Sequence, residues 1–346
     1  MQKIRAEIRL KTIRDNAELF KRKTGVKLCA VVKANAYGHG AEEVAYALCG
    51  VADCFAVSLA EEGLAIRAAA CGKDVLVLTP PVNGEQAFAI ASGGLVGSVS
   101  DLQTAELFVR TCRKYRLRAS VHLKMNTGMN RYGMSVSALC DVCRYLRGEP
   151  GVRVTGIYSH LYSPESAKAQ REEFLKAEGL CRYYFPDVCA HLSATYGSMQ
   201  GKAYAFDMVR VGIGLYGYLP DGAEEFAGAF PVKKAMKIYA QAMGNRVYHG
   251  GGAGYGKRSG LTEGEEFSLL RVGYADGFLR RRENGMTGEN VNALCMDACL
   301  QKGAKKRGEW ICVLSDADEV AKKTGTIPYE VLCAATRRAE FVYEYE

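Results

Sequence analysis

Lys33 stands at the end of the apolar run Cys29–Val32, and Asn35, Gly38 and Gly40 break the pattern directly after it. Such a run marks a strand buried on both faces. A lysine where that strand opens into a turn faces the carboxyl-terminal mouth of a parallel sheet, where α/β folds keep their chemistry. Desolvation there disfavours the ammonium form and frees the amine to attack a carbonyl, which is Schiff-base chemistry. A lone lysine of this kind would otherwise read as a solvated strand end. The stretch His122-Leu-Lys-Met-Asn-Thr-Gly-Met-Asn-Arg-Tyr-Gly133 repeats the arrangement, with Lys124 and Arg131 at a mouth rather than on a polar surface. An arginine fork suits a carboxylate better than a lysine point charge. His160 ends another apolar run, where a histidine ordinarily satisfies buried partners. Arg210-Val-Gly-Ile-Gly-Leu-Tyr-Gly217 contains a literal Gly-x-Gly-x-x-Gly, yet no helix or suitably spaced acid follows to make a dinucleotide site. Small residues after a strand instead let backbone amides approach an anion.

The run Ala30-Val-Val-Lys-Ala-Asn-Ala-Tyr-Gly-His-Gly40 resembles the cofactor-lysine motif of alanine racemases, pyridoxal-phosphate (PLP) enzymes built on a barrel. The resemblance implies that Lys33 carries PLP and acts as one of two catalytic bases, with Tyr37 as a phosphate ligand. The segment 122–133 resembles a second motif of that family. By that likeness Arg131 binds the cofactor's phenolic oxygen and the substrate carboxylate, while Lys124, carbamylated in many members, orients it. His160 is implied as a support for the arginine facing the PLP ring, and that arginine is Arg210. Thr195, or the adjacent Ser193, brings a hydroxyl to the phosphate, and Gly212 and Ile213 bring amides. Arginine keeps its proton, so the pyridine nitrogen it faces stays unprotonated. The weakened ring suits a quick proton exchange at Cα more than transamination.

His249-Gly-Gly-Gly-Ala-Gly-Tyr-Gly256 reads by itself as a flexible turn whose glycines let a tyrosine project. The family resemblance identifies Tyr255 as the second base, acting on the opposite face of Cα across a dimer interface. Its phenol needs a lowered pKa, which arginine neighbours would provide. Val272–Gly277 and Cys295-Met-Asp297 match as well, so Tyr274 is expected to line the entrance and the Met296 amide to hold the substrate carboxylate, both from a partner subunit. Departures stand at Asn126, where the family usually has aspartate, in the stretch 191–197, and at Arg337 in place of a phosphate-binding tyrosine. Arg337, together with Thr195-Tyr196-Gly197, resembles the serine/alanine racemase domains of vancomycin-resistance membrane proteins.

The elements that must position these groups follow from periodicity. Apolar runs at Cys29–Val32, Cys54–Val57, Val75–Leu78, Leu95–Val99, Ala119–Leu123, Val154–Tyr158, Val188–His191 and Met208–Val211 predict eight strands. Helical patterns at Leu59–Ala70, Asp101–Tyr115, Ser135–Leu146 and Pro164–Leu180 lie between them. The expected fold is α/β: a (β/α)₈ TIM-type barrel over residues 1–224, then a mostly-β domain over 225–346. Periodicity alone leaves an open doubly wound sheet as an alternative. In the second part Lys237–Met243, Phe267–Val272 and Trp310–Leu314 read as strands, with a short helix near Asp318–Lys323.

With 346 residues, 48 % of them apolar, the chain can bury a full core. It lacks an apolar run of roughly 18 residues and a signal-peptide core, so neither a membrane nor secretion is expected, and a cytoplasmic enzyme fits. The net charge of +8 comes without a nucleic-acid module. Thirteen scattered cysteines read as buried free thiols; Cys140-Asp-Val-Cys143 fits a ligand spacing but has no second pair, so no metal is expected. The resulting expectation is a homodimeric racemase converting L-alanine to D-alanine for peptidoglycan. Serine is the alternative substrate, and a non-catalytic PLP carrier and a PLP decarboxylase are the rivals.

Overall fold

The computed structural model describes residues 4–255 and 260–346; Gly256, which ends the Tyr255 motif, lies outside them. By its internal contacts the chain divides into two units. One comprises Ile13–Ala34 and Ala41–Lys233; the other comprises the described residues of Met1–Thr12, Asn35–Gly40 and Lys234–Glu346.

After β1 (Arg5–Arg9), which belongs to the second unit, the first unit contains eight parallel strands. They are β2 (Lys27–Val31), β3 (Cys54–Val57), β4 (Asp74–Val77), β5 (Val96–Val99), β6 (Ala119–Lys124), β7 (Val152–Tyr158), β8 (Cys189–His191) and β9 (Met208–Val211). Each expected apolar run is a strand. The sheet runs β8-β7-β6-β5-β4-β3-β2-β9, and the ends of this series are linked where Asp207 N donates to Ala190 O at 3.0 Å. Asp207 Oδ2 accepts from Ala190 N at 2.8 Å. This is a TIM barrel. Leu28, Cys29 and Ala30 are wholly buried because such strands face packed side chains on both sides.

Helix starts follow local chemistry. Asp101 accepts the Thr104 amide at 2.7 Å ahead of the helix Leu102–Tyr115, and Ser135 accepts that of Ala138 at 3.3 Å ahead of Val136–Arg147. The helix expected over Leu59–Ala70 is shorter, Ala60–Ala65.

The second unit is sheet-rich. Its strands are β1, β10 (Met236–Val247), β11 (Glu266–Leu270), β12 (Cys299–Lys302), β13 (Trp310–Leu314) and β14 (Glu340–Glu344), in the order β12-β11-β10-β1-β14 with β13 also on β10. β1 runs antiparallel to β10 and parallel to β14, so the start of the chain is an interior strand of this sheet. No apolar run announces β1, since its residues alternate between buried and half-buried.

One expectation is corrected. Cys49 and Cys71 are joined in a disulfide, and the other eleven cysteines are thiols outside any disulfide. The two Cα atoms lie 6.0 Å apart, a separation that a bridge spans without moving the backbone. The helix Ala41–Leu48 delivers Cys49 to the turn that carries Cys71, a proximity that 22 residues of sequence do not reveal.

Candidate active site

Lys33 follows β2 at its carboxyl end, and Val32 N still donates to Ala56 O of β3 at 2.9 Å. The lysine itself is half-buried. The chain then makes one left-handed turn: φ is +51° at Ala34, +54° at Asn35, +54° at Ala36, +53° at Tyr37 and +79° at Gly38. Left-handed backbone costs an L-residue roughly 1–2 kcal/mol, so four successive non-glycine residues store strain that neighbours must hold. Glu62 holds one end, accepting from Ala34 N at 2.7 Å and Ser58 N at 2.7 Å. Buried His39 holds the other, its Nδ1 donating to the Ala36 and Tyr37 carbonyls at 3.1 Å each. Burial lowers the His39 pKa to about 4, so the ring is neutral at working pH. Tyr37, also buried, packs against Tyr329 with ring centres 5.8 Å apart, and burial pushes its phenol pKa well up.

Inside the barrel the strand registers bring distant groups to neighbouring levels: Cys29 pairs with Arg210, Lys124 with Tyr158, and Tyr158 with His191. Arg210 is 3 % exposed. Its guanidinium donates to the carbonyls of Ser159 at 2.6 Å, His191 at 2.9 Å and Leu192 at 3.0 Å, and to His191 Nδ1 at 2.8 Å. His160 Nδ1 lies 3.5 Å from it, the long end of a hydrogen bond. The tighter imidazole partner is thus His191, to which the sequence reading gave no role. Lys124 is 6 % exposed, bonds the Met125 carbonyl at 3.2 Å, and sits 4.8 Å from the Tyr158 ring centre. Burial, then the charges of Arg210 and Arg131, hold its amine well below the usual lysine range. Burial and the charges of Arg210, Lys124, Arg131 and Lys33 likewise keep His160 neutral. Arg131 is exposed, over the Tyr132 ring.

Thr195 and the segment after β9 also meet. Thr195 Oγ1 accepts from Gly212 N at 3.3 Å and Gly214 N at 3.4 Å, and Ile213 is buried in the following turn. Ser193, the alternative hydroxyl, is spent on the Tyr204 carbonyl at 2.6 Å. Among the described residues the hydrogen-bond partners of Arg210 are carbonyl dipoles and imidazole nitrogens, and a buried cation without a counter-charge is costly. The donor set therefore fits a ligand that brings anionic or lone-pair acceptors, as PLP does.

In the second unit Tyr255 is 60 % exposed, Tyr274 36 % and Met296 53 %. Backbone pairing gathers them: Tyr255 bridges Ala293, Tyr274 N donates to Cys295 O at 3.1 Å, and Ala275 N to Met296 O at 3.0 Å. Arg280 stands over the Tyr255 ring, 5.4 Å from its centre. Asp297, next to Met296, accepts from Arg338 at 2.7 Å. Arg337 is exposed after the helix Pro328–Ala335.

Two roles escaped the sequence reading. Glu62 lies 28 residues from Ala34, and His191 lies 19 from Arg210. Only the acid in the first turn of Ala60–Ala65 hinted at either.

Among the described residues, no group of three or more His, Cys, Asp or Glu side chains is arranged to hold a metal. No helix among them is long and apolar enough to cross a membrane.

Comparison with known proteins places these features in context. Residues 8–220 match the family described as alanine racemase, N-terminal domain, and residues 235–343 match alanine racemase, C-terminal domain. The alanine racemase of Lactobacillus delbrueckii subsp. bulgaricus is 33 % identical over 98 % of this chain and 97 % of its own. The solved alanine racemase of Clostridium difficile 630 is 28 % identical, with a TM-score of 0.91 over 99 % of this chain and 96 % of that one. A second structure of that enzyme, in complex with cycloserine, is 27 % identical, with a TM-score of 0.90 over 99 % and 96 % of the two chains. PLP is the cofactor of the matched family.

Proposed function

The chain belongs to the alanine racemase family, and on that premise we propose that it interconverts L- and D-alanine with PLP, using Lys33 and Tyr255 as bases on opposite faces of Cα. Its product would supply D-alanine for cell-wall peptidoglycan. The observation that carries this reading is the buried Arg210, a donor that cannot give up its proton, set on the strand next to the one that Lys33 follows.

When bound, PLP supplies an electron-withdrawing ring that acidifies the substrate Cα–H. The chain's own groups do the rest. Lys33 holds the cofactor and moves a proton on one face. Tyr255 moves it on the other, because inversion requires bases about 180° apart. Arg131 binds the phenolic oxygen and the substrate carboxylate as a fork, and Lys124 orients it. His160 and Arg210 would support the ring, while Tyr37, Thr195 and the Gly212 and Ile213 amides would take the phosphate. Tyr255, Tyr274 and Met296 act from a second copy, with Tyr274 at the entrance and the Met296 amide on the carboxylate. Their exposure supports a homodimer, since bulky apolar side chains gathered at a surface favour being covered.

The test incubates the purified protein with L-alanine and L-serine separately and resolves products by chiral chromatography. D-alanine from L-alanine is expected; its absence sinks the reading, and a faster D-serine yield transfers it to serine. Tyr255→Phe should lower kcat roughly a thousandfold while keeping the cofactor's absorbance. Normal racemisation by that variant would remove Tyr255 from its role.

A further inference from the structure

The hydrogen-bond chain that starts at Arg210 does not stop at His191. His191 Nε2 lies 2.8 Å from His122 Nδ1, and both rings are buried. His122 in turn lines a cavity of about 580 Å³ with Lys27, Cys54, Asp74 and Met208. Those four are the first residues of β2, β3, β4 and β9, so the cavity lies at the amino-terminal end of the barrel, opposite the end that carries Lys33.

We propose that His122 is a positioning residue for Arg210, anchoring its guanidinium through His191. This rests on the role given to Arg210 above.

Chemistry orders the protons along the chain. A guanidinium only donates, so His191 Nδ1 accepts from Arg210. His191 is neutral, because burial and the charge of Arg210 hold its pKa well down, so its proton sits on Nε2. That N–H donates to His122 Nδ1. Burial and Arg210 lower the His122 pKa to about 3, so His122 is neutral too and its proton sits on Nε2, at the cavity end. Each link fixes the next. Without an acceptor at His122, the His191 proton can move to Nδ1, where it opposes the Arg210 donor.

The packing fits a dedicated place for this ring. A Cβ added at Gly156, which pairs with His122 across β6 and β7, would lie 2.6 Å from His122 Nε2. The register slips between Val121 and His122, one residue before the imidazole.

The test uses holoenzyme with ¹⁵N-labelled histidine. Nitrogen chemical shifts should show both His191 and His122 protonated on Nε2 and bare on Nδ1; a proton on His191 Nδ1 overturns the proposal. His122→Leu, which offers no acceptor, should move the His191 proton to Nδ1 in part and lower kcat about ten- to hundredfold, with KM unchanged. His122→Asn, whose carbonyl can accept from His191, should restore the Nε2 tautomer and most of kcat. Equal behaviour of the two variants overturns the proposal. The tautomers are read whether or not the wild type racemises alanine, so failure of the assigned reaction and failure of the relay are told apart.

Discussion

The Lys124 nitrogen lies 4.8 Å from the centre of the Tyr158 ring, and Arg210 approaches the same ring at 5.3 Å. His191 stacks on it at 5.0 Å with 2° between the planes. Tyr158 is thus a buried partition, its hydroxyl 2.7 Å from Ser98 Oγ and its ring approached by the Lys124 amine and the Arg210 guanidinium.

Lys124, held well below the usual lysine range by burial, Arg210 and Arg131, gives up its proton to become a nucleophilic amine more readily than an ordinary lysine. We expect it to add carbon dioxide, releasing a proton and placing a carbamate anion among these cations. Protein equilibrated with ¹³C-bicarbonate should show a carbamate carbon signal that grows as pH rises, because only the neutral amine reacts. Lys124→Met should lack it, and a wild-type spectrum without the signal at any pH would count against the modification.

Gly38 ends the left-handed turn with φ +79°, and a Cβ there would lie 2.6 Å from the Leu332 carbonyl oxygen. Gly38→Ala should cost about 3 kcal/mol, strain and backbone clash together. Gly325 has φ +75° and open space around it, so Gly325→Ala should cost about 1 kcal/mol. Urea midpoints of the two variants compare them directly; equal losses would mean that close approach adds nothing.

Acid should destabilise the fold through its buried imidazoles. His39 and His122 have folded pKa values of about 4 and about 3, against the ordinary 6.5. Below pH 6.5 the unfolded chain binds protons these rings refuse, so stability falls as pH drops from 6.5 towards 4. Each contributes a slope of about 1.4 kcal/mol per pH unit in that window and none above it. Urea unfolding measured across pH 4.5 to 7.5 reads the slope, and His122→Leu should reduce it by about one proton.

Thiol counting checks the disulfide. Denatured, unreduced protein should titrate eleven thiols, and reduced protein thirteen. Thirteen before reduction would mean that Cys49 and Cys71 are not joined.

The barrel strands were legible because a parallel strand covered on both faces must be apolar along its whole length, as Leu28–Ala30 is. Asp101 was legible as a helix start because a cap acts within three residues of itself. Lys33 stood out because a charge after such a run has few structural uses.

The contacts that hold the chemistry in place were not legible. Arg210 reaches Ser159 across 51 positions, and His122 reaches His191 across 69. Strand register brings such pairs together, and register leaves no periodic mark on one strand alone. The disulfide and the strand Arg5–Arg9 inside the second unit's sheet likewise rest on residues far apart in sequence. The sequence alone decides which segments are buried and which side chains end them, since hydrophobic pattern and capping are local. Which imidazole meets which guanidinium is a matter of distance in space, and only the folded barrel settles it.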